Sequence, residues 1–334
     1  MVRSLTLLTV MFAWLAVVSL PGTTSASPAP PAIAPPPEAP ALPPAVLDIS
    51  PEALLGHLES EPVAADGDPP PAAEPEPRVS AFEETRIVSV YGYPGICFMG
   101  ELGCHDPQLA ATRAEELAVW YADAEDGHRP QPAFHLIVDV AQPLPGADGS
   151  YLSRMALDQI EDYVEVARER GLLLFLDLQI GWTDPLEGVQ RVGALLEEPF
   201  VHLALDPEFA TRERGLAPGE AIGTLRAAEV NRAQEYLAAI VQEHHLPPKM
   251  LVLHQFTPDM LPDKQDFEDY PEVDVTVDMD GYGGGPAKIS GYEAYARVGT
   301  EFSAFKLFFE WDTPLLTPEE VLALPHPPDY IIYQ

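Results

Sequence analysis

Acidic side chains recur in this sequence at one kind of place, at or just beyond the end of a short apolar run. Asp139 lies at the end of the run 134–140, Asp177 at the end of 172–178, Asp206 and Glu208 just past 201–205, Asp278 and Asp280 around the end of 273–278, and Glu310 and Asp312 around the end of 305–310. His254 and Gln255 close the run 250–255. Carboxylates crowded into one concavity repel each other and lose solvation, so some of them must bind a cation, bind a donor-rich ligand or hold a proton. Cleavage of a glycosidic bond needs two carboxyl groups in different protonation states. One protonates the leaving oxygen while the other attacks the sugar or activates water. Each acid taken alone has a plainer use, capping the next helix or pairing with an arginine. The opposite ends of the runs carry residues such as Ala133, Gly171 and Lys249, so the acidity gathers at one end.

What must position these residues is a set of parallel strands. The runs 87–91, 134–140, 172–178, 201–205, 250–255, 273–278, 305–310 and 330–333 are short, rich in Val, Ile, Leu and Phe, and continuously apolar, as suits strands covered on both faces. Segments of helical period lie between them, at 107–122, 151–170, 186–197 and 221–244; the last sets Ala228, Tyr236, Leu237 and Ile240 against Glu229, Arg232 and Glu235. Eight such alternations predict an α/β fold, a single (β/α)8 TIM-type barrel over 83–334, whose working residues sit where strands run out into the following loops. An open doubly wound sheet would more often carry a Gly-rich phosphate turn after its first strand, and Tyr91-Gly92-Tyr93-Pro94-Gly95 is not that turn. Gly281 to Gly285 is glycine-rich but follows the sixth run, and it reads as a mouth loop.

Two short motifs carry a family resemblance. Leu205-Asp206-Pro207-Glu208 resembles the Asp-x-Glu that several barrel-shaped glycoside hydrolases place at the end of the fourth strand, and Phe309-Glu310-Trp311 is similar to the strand-seven nucleophile region of others. The resemblance implies Glu208 as general acid, Glu310 as nucleophile or base, and Asp206 tuning its neighbour. It covers the barrel in outline only. The chain lacks the Asn-Glu dipeptide of the largest retaining group and the fuller aspartate run of chitinase-like barrels. Asp139, Asp177, His254, Gln255, Asp278 and Asp280 would then face substrate. The aromatic residues Tyr91, Trp182, Tyr282 and Trp311, in or beside the same loops, would offer flat faces to sugar rings, a use that competes with ordinary core packing.

Two further readings compete with hydrolysis. Asp139, Asp177, Asp206 and Asp278 could hold Mg²⁺ or Ca²⁺ through oxygen. A surface barrel that binds glycan without turnover is the other. His254 reads equally as a residue that orients a substrate hydroxyl and as a satisfied core imidazole, and His244-His245 reads as a helix C-cap. No cofactor is called for, and no Gly-x-Ser-x-Gly elbow is present. Cys97 and Cys104 are the only cysteines; in an oxidising exterior they would pair across one loop, and they make a poor metal site.

Met1-Val2-Arg3 followed by the apolar run Leu5 to Leu20 and the small residues Thr24-Ser25-Ala26 reads as a signal peptide over 1–26, with an uncleaved membrane anchor as the competing reading. Residues 27–82 are rich in Pro, Ala and acids and read as a disordered spacer in which only 49–58 has helical character. The expected location is secreted or cell-surface, the expected partner a carbohydrate or cell-wall polymer, and the expected state a monomer. A net charge of −35 excludes a phosphate backbone as partner, since such binding needs clustered cations.

Overall fold

The computed structural model describes residues 80–122 and 127–334. The signal segment, most of the spacer and the helix expected at 49–58 lie outside the described residues. Eight parallel strands form a closed ring. β1 (Thr85–Gly92) pairs with β2 (Arg129–Ala141), then β4 (Leu173–Gln179), β5 (Val201–Asp206), β6 (Lys249–Gln255), β7 (Val273–Met279), β8 (Phe302–Leu307) and β9 (Tyr330–Tyr333) follow in order, and β9 returns to β1. The remaining strand, β3 (Leu152–Arg154), is an antiparallel edge on the end of β2. The chain therefore has the (β/α)8 fold that its eight runs predict.

Seven of the runs fall on these strands, and the seventh in sequence is displaced. β8 covers Phe302–Leu307, not 305–310, because Phe302 is in register with Thr276 of β7 and the chain turns immediately after Leu307. Asp312 enforces that turn by accepting the Phe308 N–H at 2.9 Å. Phe308 and Phe309 prolong the apolar pattern past the strand, which is why composition alone places the run too late.

Helices α1 (Pro107–Val119), α2 (Leu157–Arg170), α3 (Pro185–Arg191), α4 (Ala227–His244), α5 (Gly285–Gly291) and α6 (Pro318–Leu322) lie between strands. Their starts follow local rules: Asp106 accepts from Leu109 N–H at 3.0 Å, Asp184 accepts from Leu186 N–H at 3.0 Å, and Thr317 forms a capping box with Glu320. α2 begins later than the helical period from 151 implies. Tyr151 has φ of +58°, and the residues after it are spent on β3. α4 ends at His245 in the left-handed conformation, the cap that its sequence position suggests.

Alternation along the strands divides the core in two. Outward residues such as Leu174, Leu203, Leu251 and Phe305 meet the helices. Inward residues such as Ile87, Phe175, Ala204, Val252 and Tyr330 fill the barrel. Phe82 and Ser80, which composition groups with the spacer, are buried as well: Phe82 stacks on Phe302 at 4.7 Å and Ser80 hydrogen-bonds Asp274 at 2.6 Å, closing the amino-terminal end. Every polar group of functional interest is thus at the other end or within.

Candidate functional site

Above the apolar filling, the next inward position of most strands carries a titratable side chain. β4 supplies Asp177, β5 Asp206, β6 His254, β7 Asp278 and β8 Lys306, all of them buried, and Tyr91 of β1 lies among them. Lys306 Nζ stands 2.8 Å from Asp280 and 3.5 Å above the Tyr91 ring. His254 Nδ1 is 3.1 Å from Asp278 and from Asp280, and its Nε2 is 3.6 Å from Asp177. One level below, His135 of β2 places Nε2 3.7 Å from the same Asp177 oxygen.

Two residues of the group reach solvent. Glu208 and Asp280 are partly exposed at the mouth, whereas Asp177, Asp206 and Asp278 are closed off beneath them. Burial, followed by the charges of Asp206 and Asp280, pushes the Glu208 carboxyl well above the usual carboxylate range. Burial likewise raises Asp177 and Asp278, and it brings Asp206, flanked by Asp177 and Asp280, up to about 7. Asp280 goes the other way. Against the opposing effect of its own burial, Lys306 and His254 hold it down to about 2. The mouth therefore carries one carboxyl shifted up and one shifted down.

Local backbone chemistry sets Glu208. Asp206 Oδ1 accepts the Glu208 N–H at 2.9 Å across Pro207, and the Glu208 carbonyl accepts the Gly223 N–H at 2.6 Å. Gly223 has no room for a side chain, since a Cβ there would run into the Pro207 carbonyl and the Ala210 amide. Gly223→Ala is expected to cost about 1–3 kcal/mol through overpacking and to move Glu208. A thermal melt coincident with that of the unaltered protein would show that the loop yields freely.

Other residues singled out from sequence are placed differently. A register shift in β2 between Ile137 and Asp139 sets Asp139 beside Leu178 on the outer face. There Arg191 holds it at 2.5 Å and Arg154 at 4.0 Å, so the Mg²⁺ or Ca²⁺ set that includes Asp139 does not assemble. Gln255 pairs in register with Met279 on the outer face and donates to Thr257 O. Glu310 is exposed, three residues past β8, and lines a hollow of about 130 Å³ with Phe98, Trp311 and the Cys97–Cys104 disulfide. The inward place near the end of β8 is occupied by Lys306. Trp182 donates to Thr211 and Leu216 O and stacks on Tyr151 at 4.7 Å, so it pins a loop. Tyr91 is buried under Lys306. Tyr282 and Trp311, 5.7 Å apart, form an aromatic rim with Phe98 and Phe308. A shallower depression of about 410 Å³ lies between the start of α4 and 263–270, and none of the inward carboxylates lines it.

Sequence reading missed Lys306, His135, Gln179 and Tyr330. Lys306 did leave a signal, a cation inside the run 305–310, whose other charge, Glu310, stands at its end. His135 is found only by counting two residues back from Ile137. Gln179 faces inward beside Asp206 and accepts the Ala141 N–H at 2.8 Å.

No family model matches this chain, and no curated protein matches it. Among solved structures it is similar to a tri-modular GH5 (subfamily 4) endo-β-1,4-glucanase from Bacillus licheniformis, at 13% identity over 60% of this chain and 46% of that one, with a TM-score of 0.33. It is also similar to a hyperthermophilic endo-β-1,4-glucanase in complex with substrate, at 9% identity over 61% of this chain and 63% of that one, with a TM-score of 0.30. A third is the full-length tri-modular endo-β-1,4-glucanase B of Bacillus halodurans, at 14% identity over 66% and 50%, with a TM-score of 0.31. The match thus spans about half the length of the two tri-modular enzymes. At these scores the likeness says nothing about the site.

Proposed function

We propose that this barrel hydrolyses glycosidic bonds, with Glu208 protonating the leaving oxygen and Asp280, two strands further round the mouth, acting as the opposed carboxylate. The observation that carries the reading is the placement of Glu208: its side chain reaches the open mouth while Asp206 and Asp280 crowd it, so that it retains a proton and can deliver it. Asp280 is fixed by Lys306 in the state that activates water or attacks carbon. Asp206, buried beneath the mouth, tunes Glu208. Glu310 takes no part in this pair.

The rim fits the same class of substrate. Tyr282 is 58% exposed and Phe98 56% exposed, and with Trp311, backed by the buried Phe308, they make an aromatic rim whose rings can meet the faces of pyranose rings. A signal segment and a Pro-rich spacer would deliver a monomeric barrel outside the cell, where a polysaccharide or wall polymer is the available substrate.

The test is a panel of soluble plant, fungal and bacterial-wall glycans incubated with the full chain, with new reducing ends as the readout. Products from at least one linkage are expected. Binding to a glycan with no product after long incubation would replace this reading with that of a binding barrel.

A further inference from the structure

Beneath the mouth, two imidazoles and a carboxyl group face one another with no hydrogen bond between them. Tyr330 Oη donates to Ser89 Oγ at 2.9 Å, so the same oxygen accepts from His135 Nδ1 at 2.9 Å. His135 Nε2 is then a lone pair. It points toward Asp177 at 3.7 Å. His254 repeats the arrangement: its Nδ1 is enclosed by Asp278 and Asp280, and its Nε2 faces Asp177 at 3.6 Å. Nε2 of both rings and both oxygens of Asp177 make no hydrogen bond to any described residue, and all three side chains are fully buried. The Tyr91 hydroxyl lies beside Asp177 and can donate to one of its oxygens, which still leaves both imidazole Nε2 atoms without a partner. Buried polar atoms left without partners are costly, and one cation among them would satisfy all three side chains.

We propose that His135 Nε2, His254 Nε2 and a carboxylate oxygen of Asp177 bind one divalent transition-metal ion of the Zn²⁺ type. The three donor atoms lie within 4.8 Å of one another. Ligands about 2.1 Å from a tetrahedral ion stand roughly 3.4 Å apart, so the separations of 3.6 and 3.7 Å to Asp177 need to contract by a few tenths of an ångström, and the one between the two imidazoles lies within 4.8 Å. Two imidazoles in a set of three favour an ion of this class over Mg²⁺ or Ca²⁺.

The surroundings have the form that such ions use. The second nitrogen of His135 is hydrogen-bonded to an anchored tyrosine hydroxyl and that of His254 lies 3.1 Å from two carboxylates, an arrangement that leaves each Nε2 to coordinate. Three protein ligands leave a fourth position open for water or substrate. The ion with Asp177 would carry a single positive charge among the remaining acids, which offsets part of their mutual repulsion. Lys306 does not compete for this place, because its ammonium is engaged with Asp280 and the Tyr91 ring.

Zn²⁺ titrated calorimetrically into the chelator-treated full chain is the test, with Mg²⁺ as the control ion. One Zn²⁺ per chain is expected, with a Kd in the micromolar range or tighter, a rise in Tm, and no comparable heat from Mg²⁺. Asp177→Asn and His135→Gln should each weaken Zn²⁺ binding at least about a hundredfold and abolish the Tm rise. Absence of Zn²⁺ binding, or binding unaltered in both variants, would overturn the proposal. Should either variant fold poorly, X-ray absorption on the Zn²⁺-loaded unaltered chain decides: two imidazole nitrogens in the coordination sphere support the site, and a sphere of oxygens alone overturns it. Glu208→Gln should bind Zn²⁺ like the unaltered chain, so this test and that of hydrolysis fail separately.

Discussion

Glu208→Gln is expected to lower kcat on a responsive glycan by about 10²–10⁴-fold, with a melting temperature equal to or above that of the unaltered protein. The size of the loss follows from the role: the amide keeps the shape of the protonated acid and has no proton to give. Thermal stability should not suffer, because the substitution removes a titratable group from beside Asp206, Asp280, Lys306 and His254 and puts a neutral one in its place. The pH profile supplies a second readout. Activity of the unaltered enzyme should fall as pH rises through the raised pKa of Glu208, and the residual activity of the variant should lack that limb. A variant retaining full rate would remove Glu208 from the mechanism.

Asp206→Asn is expected to make the protein more stable at pH 8 and to flatten its loss of stability with pH. Burial, with Asp177 and Asp280 alongside, brings the folded Asp206 to about 7, although His254 pulls the other way. An unfolded aspartate titrates at about 3.9. A group raised on folding adds stability that is complete below the unfolded value and disappears as pH rises to the folded one, so the window here runs from about 4 to about 7. The share of Asp206 is on the order of 2–4 kcal/mol. Asp177, Asp278 and Glu208, also raised, tilt the curve in the same direction, and Asp280, which is lowered, acts only below about 4. The asparagine retains an oxygen to accept the Glu208 N–H, so the turn survives. Urea midpoints of both proteins, chelator-treated, at pH 5 and pH 8 check this. Parallel curves would mean that Asp206 is ionised throughout.

Strand number, order and direction were legible in the sequence because a parallel strand buried on both faces must be apolar throughout, and helical period must separate it from the next. The gathering of acids at one end was legible for the same reason: a strand interior excludes them, and its end does not. The disulfide needed only two cysteines in one loop.

What tertiary structure decided is which way each side chain faces. A strand has period two, so one extra residue reverses every side chain beyond it. The shift in β2 sent Asp139 out to Arg191, and the earlier end of β8 put Lys306, not Glu310, in the ring. His135, Tyr330 and Asp177 come from β2, β9 and β4 and become neighbours only when β9 closes on β1. Sequence determined the barrel and the chemistry available to it. Register and closure determined which of those groups meet.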